Sequence, residues 1–249
     1  MKIITNKEEK LVFADEIDES LANAIRRSIS EIPTLAIDEV DFYTNDSALY
    51  DEIIAHRLGL VPLKNEKLTQ IKECSCKGKG CNKCTIELKL VAEGEMVYSG
   101  KLKGNAEVVY DKMPIVLLIE GQKLEAVCHA RIGTGKEHTK FTPGFAYYRH
   151  VAEIDGKDCD CKECIEACPQ NILEEDKGRI KVSDVYKCDM CNACVEACEK
   201  KGKGKIEVKP GKEIMFFIES YGSMPAKNIF QEAVKILSDN LEEVEKAVK

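Results

Sequence analysis

The sequence predicts a metal-rich α+β protein, and three observations carry that prediction. Apolar and polar residues alternate through much of the middle third, the period of half-buried strands. The chain closes on a long amphipathic stretch with helical spacing. Twelve of the thirteen cysteines fall in two tight clusters, at 74–84 and 159–198.

The elements follow in order. Leu11, Val12 and Phe13 read as a strand. The segment from Ser20 to Ile32 puts Leu21, Ile25, Ile29 and Ile32 on one helical face, and Pro33 stops it. A strand is expected around Leu35 to Tyr43, then a polar turn at Asn45, Asp46 and Ser47. Tyr50 to Leu58 reads as a second helix closed by Gly59 and Pro62. From Thr85 to Val91, Ile86, Leu88 and Leu90 alternate with Glu87 and Lys89. Another strand is expected near Ile115 to Ile119. After a turn at Gly121 comes a strand with Leu124, Ala126, Cys128, Ala130 and Ile132 on one face. Near the end, Ile206 and Val208, a Pro210-Gly211 turn and Ile214 to Ile218 read as a hairpin.

The final helix is expected from about Pro225 to Val248. Phe230, Val234, Leu237, Leu241, Val244 and Val248 are spaced 4, 3, 4, 3 and 4, a heptad seam. Ile229, Ala233 and Ile236 widen that stripe in the first half, as packing on the chain's own sheet requires. In the second half only the narrow seam survives among Glu and Lys, which favours a dimerisation helix.

Composition bounds the function. With 249 residues and 44% hydrophobic content, the chain can fill two or three domains of about 100–150 residues each. A net charge of −7 with both signs interspersed argues against a protein whose main task is to grip DNA. No apolar run reaches the roughly 18 residues of a membrane span. Met1 to Lys10 is charged and lacks the apolar core of a secretory signal, so a cytoplasmic location is expected. A disulfide scaffold does not suit that setting, which leaves metal binding for the cysteines.

Cys188, Cys191, Cys194 and Cys198 form C-x2-C-x2-C-x3-C. Cys161, Cys164 and Cys168, followed by Pro169, match the last three positions of the same run. Two such runs resemble the bacterial two-cluster ferredoxins, in which the fourth thiolate of each run serves the other cluster. The resemblance implies one iron–sulfur cluster (4Fe-4S) on Cys188, Cys191, Cys194 and Cys168. It implies a second on Cys161, Cys164 and Cys198 plus one more thiolate. The expected position for that thiolate holds Asp158, and the nearest cysteine is Cys159. Either Cys159 reaches the iron, or the site holds a three-iron cluster (3Fe-4S). Zinc on the same thiols is the competing assignment, and the trailing proline with apolar Ile172 and Ile180 between the runs favours iron–sulfur.

The first cluster, Cys74, Cys76, Cys81 and Cys84, reads C-x-C-x4-C-x2-C with Gly78 and Gly80 between. Four thiolates in one tight loop, without a partner run, favour a structural zinc. The alternatives are an empty thiol loop or a disulfide formed on oxidation. Cys128 sits on the apolar face of its strand and reads as core.

Two further stretches carry a family resemblance. Asn23-Ala24-Ile25-Arg26-Arg27 continues to Pro33-Thr34-Leu35-Ala36-Ile37-Asp38-Glu39-Val40, and a second block runs from Asp51 to Leu63 with His56-Arg57-Leu58-Gly59 inside it. Ala146-Tyr147-Tyr148-Arg149 and Glu219-Ser220-Tyr221-Gly222-Ser223 follow. Together these blocks resemble the α-subunit family of DNA-directed RNA polymerase. The cysteine loop and the ferredoxin-like insert point to its archaeal D-type branch. The resemblance implies a discontinuous dimerisation domain over about 1–45 and 206–249. It implies an inserted β-rich domain at 46–156 and a ferredoxin-like domain at 157–205. It also implies a non-catalytic role in transcription. The chain would pair with a small α-like subunit, L, and carry the large catalytic subunits, with no sequence-specific DNA contact. By resemblance, the helix with Arg26 and Arg27 lies at the dimer core and the large-subunit contact.

The competing class is a ferredoxin-type electron-transfer protein. Nothing else in the chain supports it: there is no Gly-rich dinucleotide loop after a strand, and no nucleophile–base set. His56, His129, His138 and His150 are scattered, as structural histidines are.

Overall fold

Helix α1 (Glu19–Ser28) gives way to a 3-10 turn at Ile29–Glu31, and beyond Pro33 the chain opens into strand β3 (Thr34–Asn45). A computed structural model describes the chain except for residues 66–80, 82–84, 157–161, 177–178 and 202–205. Before α1 lie β1 (Lys2–Asn6) and β2 (Lys10–Asp15), and after β3 comes α2 (Asp51–Gly59). The middle contains β4 (Ile86–Glu93), β5 (Met96–Tyr98), β6 (Lys103–Gly104), β7 (Pro114–Leu117), β8 (Lys123–Gly133) and β9 (Gly144–Asp155). The last part holds α3 (Lys162–Glu166), β10 (Leu173–Asp176), β11 (Arg179–Val182), α4 (Ala193–Lys201), β12 (Glu207–Ser220) and α5 (Ala226–Val248). The chain divides into two compact units. One comprises Met1–Thr5, Val12–Asn23 and Tyr147–Phe217, and the other Asn6–Leu11, Ala24–Ala146 and Ile218–Lys249.

The second of these units is built on an antiparallel sheet of order β3-β8-β4-β6. Alternation in β4 does what the sequence predicts, with Ile86, Leu88, Leu90 and Ala92 buried and their neighbours exposed. Leu88 stands opposite Cys128, which in turn stands opposite Val40, so three strands share one apolar row. Helix α2 adds Ile54 and Leu58 to the same core. Each such side chain contributes about 1.5–3 kcal/mol by leaving water. Cys128 is fully buried, and that burial pushes its thiol up to about 12. Gly121 turns the chain into β8 at φ +81°, a conformation that other residues adopt at a cost.

Between Ile37 and Glu39 the β3–β8 register slips, leaving Asp38 at an irregularity of the β-bulge kind. Its carboxylate takes hydrogen bonds from Arg131 Nε at 2.6 Å and Lys140 Nζ at 2.5 Å, and Arg131 also reaches Glu137 at 3.0 Å. Burial opposes the charge on Asp38, but the two cations outweigh it and hold the carboxyl below its ordinary range.

Helix α5 buries Ala226, Ile229 and Ala233 and joins Glu31 through Asn240 at 3.1 Å. Along its heptad seam Val234, Leu241, Val244 and Val248 are exposed, Leu241 to 62% and Val248 to 83%.

The other unit carries most of a sheet of order β1-β2-β12-β9. Leu11, Val12, Phe13 and Ala14 are all buried, as a strand covered on both faces requires. Phe13 stacks on Phe216 at 5.6 Å, and Tyr147 stacks on Phe217 at 4.5 Å. A second hydrophobic cluster gathers Cys164, Cys168, Cys188, Cys194 and Cys198 with Ile172, Leu173 and Ile206.

Two expectations are corrected. There is no hairpin at Pro210-Gly211: β12 runs unbroken from Glu207 to Ser220. Gly211 lacks the positive φ that a type II turn would require of it. It is glycine because β9 passes close by, and a Cβ there would lie 2.8 Å from the Val151 carbonyl oxygen. On α1, Leu21 is 45% exposed, and Ala22 takes the buried place beside Ile25, Ile29 and Ile32.

Candidate metal centre

Local hydrogen bonds deliver Cys168, Cys188 and Cys191. The end of α3 is closed by Cys168 N–H donating to Ile165 O at 3.2 Å, so Cys168 leaves the helix at a defined point. Asp184 caps the next turn, Val185–Lys187, by accepting from Tyr186 N at 3.1 Å. Cys188 N–H then closes that turn on Val185 O at 3.1 Å. In the loop beyond, Asp189 Oδ1 accepts from Cys191 N at 3.3 Å. Met190 and Asn192 adopt left-handed φ of 57° and 61° on either side of Cys191. Helix α4 then presents Cys194 and Cys198 one turn apart.

The product is a cavity lined by Cys168, Cys188, Cys191 and Cys194, with Ile154, Ile172, Leu173 and Val208 among its apolar walls. Cys191 is exposed at its edge, whereas the other three are buried. Burial pushes the Cys188 thiol up, with Asp189, Cys168 and Cys191 adding to the effect and a hydrogen bond from Met190 N–H opposing it. Burial likewise raises Cys194, reinforced by Cys168 and Cys188. Cys188 and Cys194 therefore resist ionisation, each against the charge of neighbouring thiols. A positively charged iron core removes that resistance, so the donor set fits an anionic iron–sulfur cluster held by four thiolates. Among the described residues no three His, Cys, Asp or Glu side chains gather closely enough for a single ion. A cluster spreads its thiolates over different irons.

Of the second expected set, Cys164 and Cys198 are buried in the same hydrophobic cluster, where α3 packs on α4. Cys159 and Cys161 lie outside the described residues. So do Cys74, Cys76 and Cys84 of the first loop. Cys81 is half-buried and packs against the core of its unit, and its carbonyl accepts from Thr85 N at 3.0 Å. Three histidines have structural partners. His150 bridges Gly211 O and Glu19, His129 meets Asp41 at 2.9 Å, and His138 Nδ1 accepts from Lys140 N.

One residue at the centre entered the sequence reading only within a family block, with no role at the site. Arg149 donates to the carbonyls of Cys188 and Tyr186, the latter at 2.7 Å, and lies over the Phe217 ring at 5.7 Å. Its partners are backbone atoms 39 and 37 residues away, which leave no signature in a sequence.

Residues 36–146 match the RNA polymerase Rpb3/RpoA insert domain, and residues 152–199 match a 4Fe-4S dicluster domain. The chain is 38% identical to DNA-directed RNA polymerase subunit Rpo3 of Archaeoglobus fulgidus, covering 100% of this chain and 97% of that one. It is 40% identical to Rpo3 of Thermococcus kodakarensis, over 95% of this chain and 92% of the relative. It is 41% identical to that of Methanothermobacter thermautotrophicus, over 89% and 88%.

Proposed function

The chain belongs to the Rpo3 family of DNA-directed RNA polymerase subunits, and on that premise we propose that it is a D-type assembly platform carrying iron–sulfur clusters. It is a non-catalytic subunit of a nucleotidyltransferase complex. In this reading it pairs with the small α-like subunit L and then carries the large catalytic subunits. The exposed seam of α5 is the surface offered to L. Residues 1–45 with 206–249 form the dimerisation domain, 46–156 the β-rich insert and 157–205 the cluster domain. The site of action is the cytoplasm.

One cluster takes Cys168, Cys188, Cys191 and Cys194. The other takes Cys161, Cys164 and Cys198, completed by Cys159 or left as a three-iron centre, and Cys74, Cys76, Cys81 and Cys84 take zinc. When bound, a cluster supplies metal–thiolate bonds that cross-link the insert, together with one-electron chemistry. The protein's own part is to gather the thiols and keep water from three of the four.

The observation that carries the reading is the cavity lined by four cysteines within a chain that matches polymerase subunits from end to end. Anaerobic affinity purification from its own cells tests it. Co-purification with the large polymerase subunits, with iron on the chain, is expected. Recovery with a redox enzyme instead, or of an iron-free chain in intact polymerase, would overturn it.

A further inference from the structure

The turn Val185–Lys187 runs directly into Cys188, and every strand of the four-stranded sheet holds it. From β1, Lys2 Nζ lies 4.2 Å over the Tyr186 ring. From β2, Val12 and Ala14 share a hydrophobic cluster with Val185 and Tyr186. From β12, Glu213 accepts the Tyr186 hydroxyl at 3.3 Å. From β9 comes Arg149, half-buried, donating to the carbonyls of both Tyr186 and Cys188. Phe217 of β12 backs its guanidinium, and Tyr147 of β9 stacks on that ring.

We propose that Arg149 is a positioning residue that couples occupation of the cysteine-lined cavity to the order of the β1-β2-β12-β9 sheet. The inference rests on the reading of that cavity as an iron–sulfur site. Two bonds from one planar guanidinium fix the Tyr186 and Cys188 carbonyls relative to each other and to β9. With Cys188 held by iron at its sulfur and by Arg149 at its carbonyl, neither end of the residue moves freely. Once iron leaves, the loop loses one anchor, and the turn that ties four strands together loosens. Coupling is reciprocal: whatever steadies the turn also steadies the metal. Arg149 ties down the backbone of Cys188, which is assigned to one cluster only. The effect is therefore confined to one cluster of the two.

The test compares the full-length protein with Arg149→Gln and Arg149→Lys, all purified anaerobically. Iron release to a ferrous chelator, the EPR spectrum of the reduced protein and amide exchange in β1, β9 and β12 are measured. In Arg149→Gln, one cluster's share of the iron should be held roughly tenfold more weakly against the chelator at equilibrium, a typical size for coupling between sites, and should leave faster. The EPR signal of one cluster should change while the other keeps its form. Stripping iron from the wild type should speed exchange in the three strands, and should add little in Arg149→Gln. Arg149→Lys, which keeps the charge but not the two-pronged donation, should fall between. Should the Gln variant fail to fold, Tyr186→Phe removes only the hydroxyl tie to Glu213 and should speed release of the same share. Release and spectra unchanged in the variants, or sheet exchange indifferent to iron, would overturn the coupling while leaving the cluster assignment intact. A wild-type chain without iron would overturn both.

Discussion

Asp38 accepts a hydrogen bond from Arg131 at 2.6 Å at the point where β3 slips register against β8. The irregularity is what aims the carboxylate at two cations, Arg131 and Lys140, instead of continuing the alternation of the strand. It therefore spends a ladder position on a charge cluster.

That cluster sets an acid limit on the β core. Asp38 and Glu137 both sit below the ordinary carboxylate range. In Glu137 the hydrogen bond from Arg131 is the main cause. Groups depressed on folding stabilise above their unfolded pKa and lose that effect as pH falls through the lower folded value. Asp38→Asn should cost about 1.5–3 kcal/mol at pH 7, the size of a hydrogen bond to a charged group. As pH falls through the unfolded carboxylate range towards the lower folded value, the gap between variant and wild type should narrow. Amide exchange across β3 and β8 measures the local stability, and a gap that does not change with pH would refute the assignment.

The seam of α5 should govern pairing. Leu237→Glu with Leu241→Glu places two charges on it, and burying them unpaired against a partner is costly. Leu241 is 62% exposed and Leu237 half-buried, so a circular-dichroism spectrum matching the wild type accompanies the assay as the folding control. Gel filtration should show the complex with subunit L abolished, and an intact heterodimer would refute the seam.

Cys188→Ser with Cys191→Ser should remove about half of the iron, one cluster of two. Pairing with L should survive, because α5 is a separate element, but incorporation into the whole polymerase should weaken. Affinity purification followed by metal analysis checks both halves of this statement. Wild-type yields of assembled polymerase would show the cluster to be ornamental.

Zinc should be independent of iron. Cys81→Ser with Cys84→Ser should remove about one zinc per chain, as a four-cysteine site predicts, and leave iron untouched. Loss of iron would mean that the loop belongs to the cluster chemistry.

The parts of this protein that were legible in its sequence are those whose causes are local. Ile86, Leu88 and Leu90 announce β4 because alternation is a property of neighbours, and the cysteine spacing announces thiolates converging on one cavity. Pro210-Gly211 misled because its cause lies on another strand: the glycine makes room for Val151, far away in sequence. β9 was missed as a strand because Tyr147, Tyr148, Arg149 and His150 interrupt the alternation with side chains that have specific partners. Arg149 was invisible as part of the site because it recognises carbonyl oxygens, which every residue carries.

Cys128, at the centre of the β3-β8-β4 row, has a consequence for chemistry in the test tube. With its thiol pushed up to about 12, only roughly one molecule in ten thousand carries the reactive thiolate there at pH 8. Burial shuts reagents out as well. Its alkylation therefore waits for the core to open, and the rate at which it is labelled times that opening. The clock is separate from the cluster cavity, where Cys191 stands exposed. One protein thus carries two thiol reporters on two different events, the loosening of a metal and the breathing of a sheet, told apart by which peptide carries the label.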